Sequence, residues 1–295
     1  MFWENLREEE FKDAVEKCGR LCVIPIGCTE KHGQHLPLGT DVFIAESVCE
    51  MAAEMEEVMI LRSGPWLGEV CCFHADKDPD GVRRMGNIAI KPSTLLSILG
   101  ELCDECGRNG FTKVLFVNAH GGNTALLNLL LREQTYEDKP YVTMVAHTNV
   151  SQDKLDPEPL LAEIIRRREE FSFVTEEDIE VIRGWIPEGY KGGHGDITEA
   201  ALVMADHPEL VARDKYEAES GAHVVRADDL AREGVKTTNM WYAGMPNCYS
   251  GRPPHGTSVG IGLAMKKLCA ERMARIFKKS KENDELLNVS NMDRS

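Results

Sequence analysis

Two strand-length runs constrain this chain most. Leu21–Ile26 is apolar throughout and Lys113–Asn118 is apolar at its centre. Each runs into a glycine-bearing loop and then a helical pattern. Runs that do not alternate polar with apolar belong to strands covered on both faces, and strands separated by helices belong to a mostly parallel sheet. The pattern predicts helices at 5–18, 42–55, 93–109, 123–136, 196–205 and 257–279, and strands at 21–27, 57–62, 87–90, 113–118 and 141–147. The fold class is therefore α/β, with helices on a mostly parallel central sheet. At 295 residues one large domain over 1–280 is expected, followed by a polar tail, 281–295, expected to be disordered.

The loops after the two runs carry the chemistry. Gly27 to Asp41 reads Gly-Cys-Thr-Glu-Lys-His-Gly-Gln-His-Leu-Pro-Leu-Gly-Thr-Asp. Glu30 and His32 are two apart, so in extended backbone they face one side. Asp41 lies beyond a turn able to fold it back. Carboxylate plus imidazole is a ligand set for Zn, Mn or Fe. The second run leads into Ala119-His120-Gly121-Gly122-Asn123. His120 then sits at a strand's carboxyl end, where open α/β sheets bind ligands. Asn123 or Thr124 is placed to cap the following helix. A third segment, Gly192-Gly193-His194-Gly195-Asp196-Ile197-Thr198-Glu199, opens another helix with Asp196 or Thr198 as its cap. His194 stands at its mouth and Glu199 in its first turns.

These three segments resemble the signatures of the creatininase (creatinine amidohydrolase) family, with similarity over about residues 5–278. The resemblance implies a metal-dependent hydrolase with a three-layer α/β/α fold, assembled as a hexamer. It places Glu30, His32, Asp41 and His120 as metal ligands, with Asp41 bridging two ions. Gly122 stands where creatininase itself has a ligating Glu, which leaves Glu199 as the remaining carboxylate ligand. Asp196 and Ala200 replace a Gly and a Thr, and Met85 and Asn87 replace a Pro and a Thr. These departures point away from creatinine as the substrate.

The expected reaction is hydrolysis of a C–N amide bond in a small cyclic or N-acyl substrate. Two divalent ions per chain (Zn, Mn or Fe) would activate the attacking water between them. His194 would carry the proton to the leaving nitrogen, with Glu199 beside it. Glu69, His74, Asn118, Trp185 and Tyr190 are assigned to substrate contact. The alternatives on the same scaffold are hydrolysis of a C–C bond in a cyclic diketone of the diketo-inositol type, of an N-formyl group, or of a short peptide. A metal-binding regulatory or scaffold protein is the non-enzymatic alternative.

Composition narrows the class further. A net charge of −15 argues against nucleic-acid binding, which wants a basic face. No 18-residue apolar stretch or signal-peptide pattern occurs, so a cytoplasmic protein without membrane contact is expected. The ten cysteines lie mostly in apolar segments and read as reduced thiols. Cys103 and Cys106 have zinc spacing, but they fall within a helical pattern and no second pair accompanies them. Arg166-Arg167-Arg168 reads as a solvated face.

Overall fold

The structure is a computed structural model, and it describes residues 1–70, 86–148, 155–187, 192–226, 228–238 and 240–290. Four parallel strands form the sheet: β1 (Leu21–Ile26), β2 (Met59–Ile60), β3 (Lys113–Asn118) and β4 (Val142–His147), in the order β2-β1-β3-β4. The register pairs Ile26 with Asn118 and Asn118 with His147, so β1, β3 and β4 end level. Side chains alternate between two cores. Leu21, Val23, Leu115 and Val117 face one core; Cys22, Ile24, Ile26, Val114 and Phe116 face the other.

Each face has its own helices. The first core takes α2 (Thr40–Met55), α5 (Pro157–Arg166), α6 (Glu176–Trp185), α7 (Ile197–Met204) and α10 (Val259–Glu282). The second takes α1 (Glu8–Lys17), α3 (Pro92–Arg108) and α4 (Asn123–Glu133). Three layers, α/β/α, result. Short helices α8 (Asp228–Arg232), α9 (Met240–Gly244) and α11 (Glu285–Ser290) complete the described α-helices. No helix among the described residues is long and apolar enough to cross a membrane.

Three expectations need correction. Residues 87–90 form no strand; their backbone instead gives one hydrogen bond, Ile88 N to Thr29 O at 3.0 Å. The tail does not begin at 281. Helix α10 runs to Glu282 and α11 follows. The cause is Lys113, which is 3% exposed and must find acceptors; it donates to Lys281 O and Asp284 Oδ1, both at 2.7 Å. Trp185, assigned to substrate contact, is 7% exposed on α6 and packs in the core cluster that contains Ile182.

Other readings hold, one of them in part. Cys103 and Cys106 are buried on one face of α3, and both are free thiols. Of the three arginines read as a solvated face, Arg166 and Arg168 pair with Glu163 at 2.6 Å and Glu176 at 3.0 Å, but the Arg167 side chain is only 14% exposed and pairs with Glu170 at 2.5 Å and with Glu271.

One ion pair ties the turn after α7 to α10. Lys266 Nζ lies 2.7 and 2.8 Å from the two oxygens of Asp206. Burial would raise the Asp206 carboxyl, but hydrogen bonds from Lys266 and Ser47 hold it below its usual value. A carboxyl held low contributes stability above its unfolded pKa and loses it as pH falls. Lys266→Met should therefore lower unfolding free energy at pH 7 by about 1–3 kcal/mol. The gap to the parent should narrow as pH drops below about 4, near the unfolded carboxylate value. Denaturant melts at several pH values measure it.

Candidate metal centre

The centre forms where the sheet's connections part. After β1 the chain crosses to α2 on one face; after β3 it crosses to α4 on the other. Neighbouring strands whose connections diverge open a crevice at their carboxyl ends. Glu30 and His32 follow β1, His120 follows β3, and Asp41 is in the first turn of α2.

Asp41 stands at the centre, 1% exposed. Its Oδ1 is 3.2 Å from His32 Nε2, and its Oδ2 is 3.1 Å from His120 Nδ1. One carboxylate thus faces two imidazoles with different oxygens. Glu30 Oε1 lies 3.1 Å from His120 Nδ1. Glu199 Oε2 lies 3.7 Å from His32 Nε2. Three overlapping donor groups result among the described residues: Cys28, Glu30, Asp41 and His120; His32, Asp41 and Glu199; and Glu30, His32 and His194.

The far nitrogen of each imidazole fixes its role. His32 Nδ1 donates to Glu30 O at 3.1 Å, and His120 Nε2 donates to Glu69 O at 2.7 Å. A carbonyl only accepts, so the ring nitrogen facing the carboxylates is the one that a cation could take in place of a proton. This outer hydrogen bond is the usual companion of a metal-binding histidine.

The charge balance fits a cation. Burial alone would lower His32, yet Asp41 and Glu199 outweigh it and push the ring up to about 10. Burial likewise raises Glu199, with His32 opposing and Asp41 and Asp196 adding, to about 8. Three carboxylates in one buried cluster draw in protons where positive charge is lacking. Divalent ions would supply that charge, and the N and O donors present suit Zn, Mn or Fe.

The third segment is held by its turn. Asp196 caps α7, accepting from Thr198 N at 3.0 Å, so the cap is Asp196 and not Thr198. Gly195 has φ +73° and lets its N donate to Glu199 Oε2 at 2.5 Å. His35 Nε2 donates to Gly195 O at 2.6 Å, joining the first and third segments. His194 stacks on His32 at 4.1 Å between centroids and stands 3.7 Å from Glu30 Oε1. Its Nε2 donates to Lys31 O at 2.9 Å. Burial, with His32 beside it, lowers this ring to about 4.

Two residues assigned to substrate contact, Asn118 and Glu69, both hydrogen-bond to His120. Asn118 is 1% exposed and brackets His120: its Nδ2 donates to His120 O at 2.7 Å and its Oδ1 accepts from His120 N at 3.1 Å. These bonds make it an orienting residue for the His120 backbone. Glu69 reaches the centre through its backbone carbonyl, with its carboxylate near Gly122: a Cβ on Gly122 would lie 3.1 Å from Glu69 Oε2. His74 and Tyr190 lie outside the described residues.

Sequence reasoning missed two neighbours. Asn123 is no helix cap. It is fully buried, accepts from Glu69 N at 2.7 Å and donates to Gly27 O at 3.0 Å, joining three segments. The aromatic residue at His194 is Trp241, edge-on at 5.4 Å, from α9. The only signal for it is the Trp241-Tyr242 pair in a polar stretch.

A family model described as "Creatininase: Creatinine amidohydrolase" matches residues 4–277. The chain belongs to the creatininase family. Members of this family are metal-dependent amidohydrolases. This family member is 24% identical to a creatinine amidohydrolase of Pseudomonas putida over 73% of the chain and 75% of the relative. It is 26% identical to a mycofactocin precursor peptide peptidase of Mycobacterium ulcerans (strain Agy99) over 86% of the chain and 84% of the relative. A solved creatinine amidohydrolase (creatininase) superposes with TM-score 0.66 at 19% identity, covering 96% of this chain and 98% of that one. Solved creatininases with a similar fold include a Zn–Zn type and a Mn form.

Asn118→Ala should leave His120 unbracketed. The expected outcome is metal affinity down by about 10–100-fold, the usual cost of losing an outer-shell partner. Stability should fall by about 1–3 kcal/mol from buried groups left unpaired. Titration calorimetry and denaturant melts read the two effects separately.

Proposed function

We propose that this protein hydrolyses a C–N amide bond in a small cyclic or N-acyl substrate, using two divalent ions held by the centre. The observation that carries the reading is Asp41, whose two oxygens face His32 and His120 separately. Glu30 and His120 would hold one ion and His32 and Glu199 the other, with Asp41 shared. When bound, such ions polarise a carbonyl and lower the pKa of water.

The chain's own groups do the rest. The Glu30 and Glu69 carbonyls keep His32 and His120 in the ligating tautomer. His194 has Nε2 committed to Lys31 O, which leaves Nδ1 to take a proton and pass it to the leaving nitrogen. Glu69, half-buried beside the centre, offers a carboxylate to substrate N–H groups. Trp241 gives His194 an aromatic wall. A peptide is the second substrate class, favoured by the similarity to the mycofactocin precursor peptide peptidase.

Purified protein should carry one to two equivalents of Zn, Mn or Fe per chain by elemental analysis. Asp41→Ala should empty both positions, whereas His32→Ala should chiefly weaken one. Parent, Asp41→Ala and His32→Ala with equal metal content would sink the assignment. A turnover screen over lactams, N-acyl amides, formamides, cyclic diketones and short peptides, with and without metal, identifies the bond broken. On the substrate so found, His194→Ala should keep its metal and lose about 10²–10⁴ in kcat, the worth of a positioned acid–base group. Loss of metal together with activity would make His194 a ligand instead.

A further inference from the structure

The Glu30–Asp41–His120 side of the centre contains a sulfur. Cys28 Sγ donates to Asp41 Oδ2 at 3.2 Å. The sulfur and one donor atom each of Glu30, Asp41 and His120 all lie within 4.8 Å of one another. Cys28 is 1% exposed, so the thiol belongs to the centre and not to the surface.

The backbone on both sides holds it there. A Cβ on Gly27 would lie 2.5 Å from Val42 N and 2.6 Å from Asp41 C, so the end of β1 is pressed against the start of α2. From the other side, a Cβ on Gly68 would lie 2.6 Å from Cys28 Cβ. Only residues without side chains permit both approaches. The thiol between them points to Asp41. The contact distances also suit a shared ion. Sγ to Asp41 is 3.2 Å, and His120 Nδ1 is 3.1 Å from both Glu30 and Asp41. Ligand bonds of about 2.0–2.3 Å in a tetrahedral shell imply edges of about 3.3–3.7 Å, a small expansion from these distances.

We propose that Cys28 is a direct ligand to the ion on this side, making a Cys-His-carboxylate set that selects a thiophilic cation such as zinc over manganese. The proposal rests on the reading that the centre binds metal. On binding, the Sγ–H bond breaks and its proton passes to solvent. The sulfur lone pair then faces the ion, and Asp41 Oδ2 exchanges its thiol hydrogen bond for the same ion. Thiolate is a soft donor that favours zinc, whereas carboxylate and water suit manganese. The His32–Asp41–Glu199 group contains no sulfur, so the two sides differ in the ion they prefer.

Cobalt(II) titration of the metal-free full chain, followed by absorption, tests this. Visible d–d bands report cobalt bound by any ligand; an intense near-ultraviolet band reports sulfur-to-cobalt charge transfer. The parent should show both, and Cys28→Ser should keep the visible bands and lose the near-ultraviolet one. In competition, Cys28→Ser should weaken cadmium binding by more than the 10–100-fold that outer-shell changes typically cost, with manganese binding within a few-fold of the parent. X-ray absorption of the parent's zinc form should show a Zn–S distance of about 2.3 Å, a measurement independent of any variant. Visible bands without charge transfer in the parent, or charge transfer that persists in Cys28→Ser, would overturn the ligand assignment. Absence of cobalt bands altogether would instead overturn the metal reading beneath it.

Discussion

The Asp41 carboxylate, fixed between two imidazoles, is the constraint on which the rest of the centre depends. It lies in the first turn of α2, so its position is set by how that helix leaves the loop after β1. His32 reaches it from the same loop and His120 from the neighbouring strand. A shift of either strand by one residue would turn its side chains to the opposite face and break the group. Sheet register and site geometry are therefore one property. The level ends of β1 and β3 are what place a donor from each beside Asp41.

The divergence of the two crossovers explains why the donors converge here. Helices α2 and α4 depart to opposite faces, so their loops separate instead of packing together. The third donor segment enters on the α2 side, carried by α7, which packs on α2 and α10. Asn123 and His35 tie these pieces without facing the donor cluster themselves. Asn123 joins the β1 end to the residue-69 loop, and His35 joins the first and third segments.

Much of this was legible in the amino-acid order. Strand-length runs ending in Gly, His and acidic residues marked both the sheet and the convergence of Glu30, His32, Asp41 and His120. What was hidden depends on contacts between distant segments. The 87–90 stretch has a strand-like composition, but its hydrogen bonding goes to the Thr29 loop. Trp185 precedes His194 in sequence, yet amphipathic α6 turns it into the core, and Trp241 from far downstream takes the place beside the imidazole. Asn118 sits inside a motif, and only its hydrogen bonds reveal that it serves the backbone of His120. The tail's start is ordered by a lysine on a strand 168 residues earlier. Local pattern carries no information about such partners.

The acceptors that orient His32, His120 and His194 are the main-chain carbonyls of Glu30, Glu69 and Lys31. A carbonyl belongs to every residue type, so no substitution at 31 or 69 deletes it. The side chains at those positions are not the groups that accept from the imidazoles. Lys31 extends away to pair with Glu219, and the Glu69 side chain lies over Gly122. The surroundings of the centre can thus be rewritten for a new substrate while the tautomers that the ligands require are inherited unchanged.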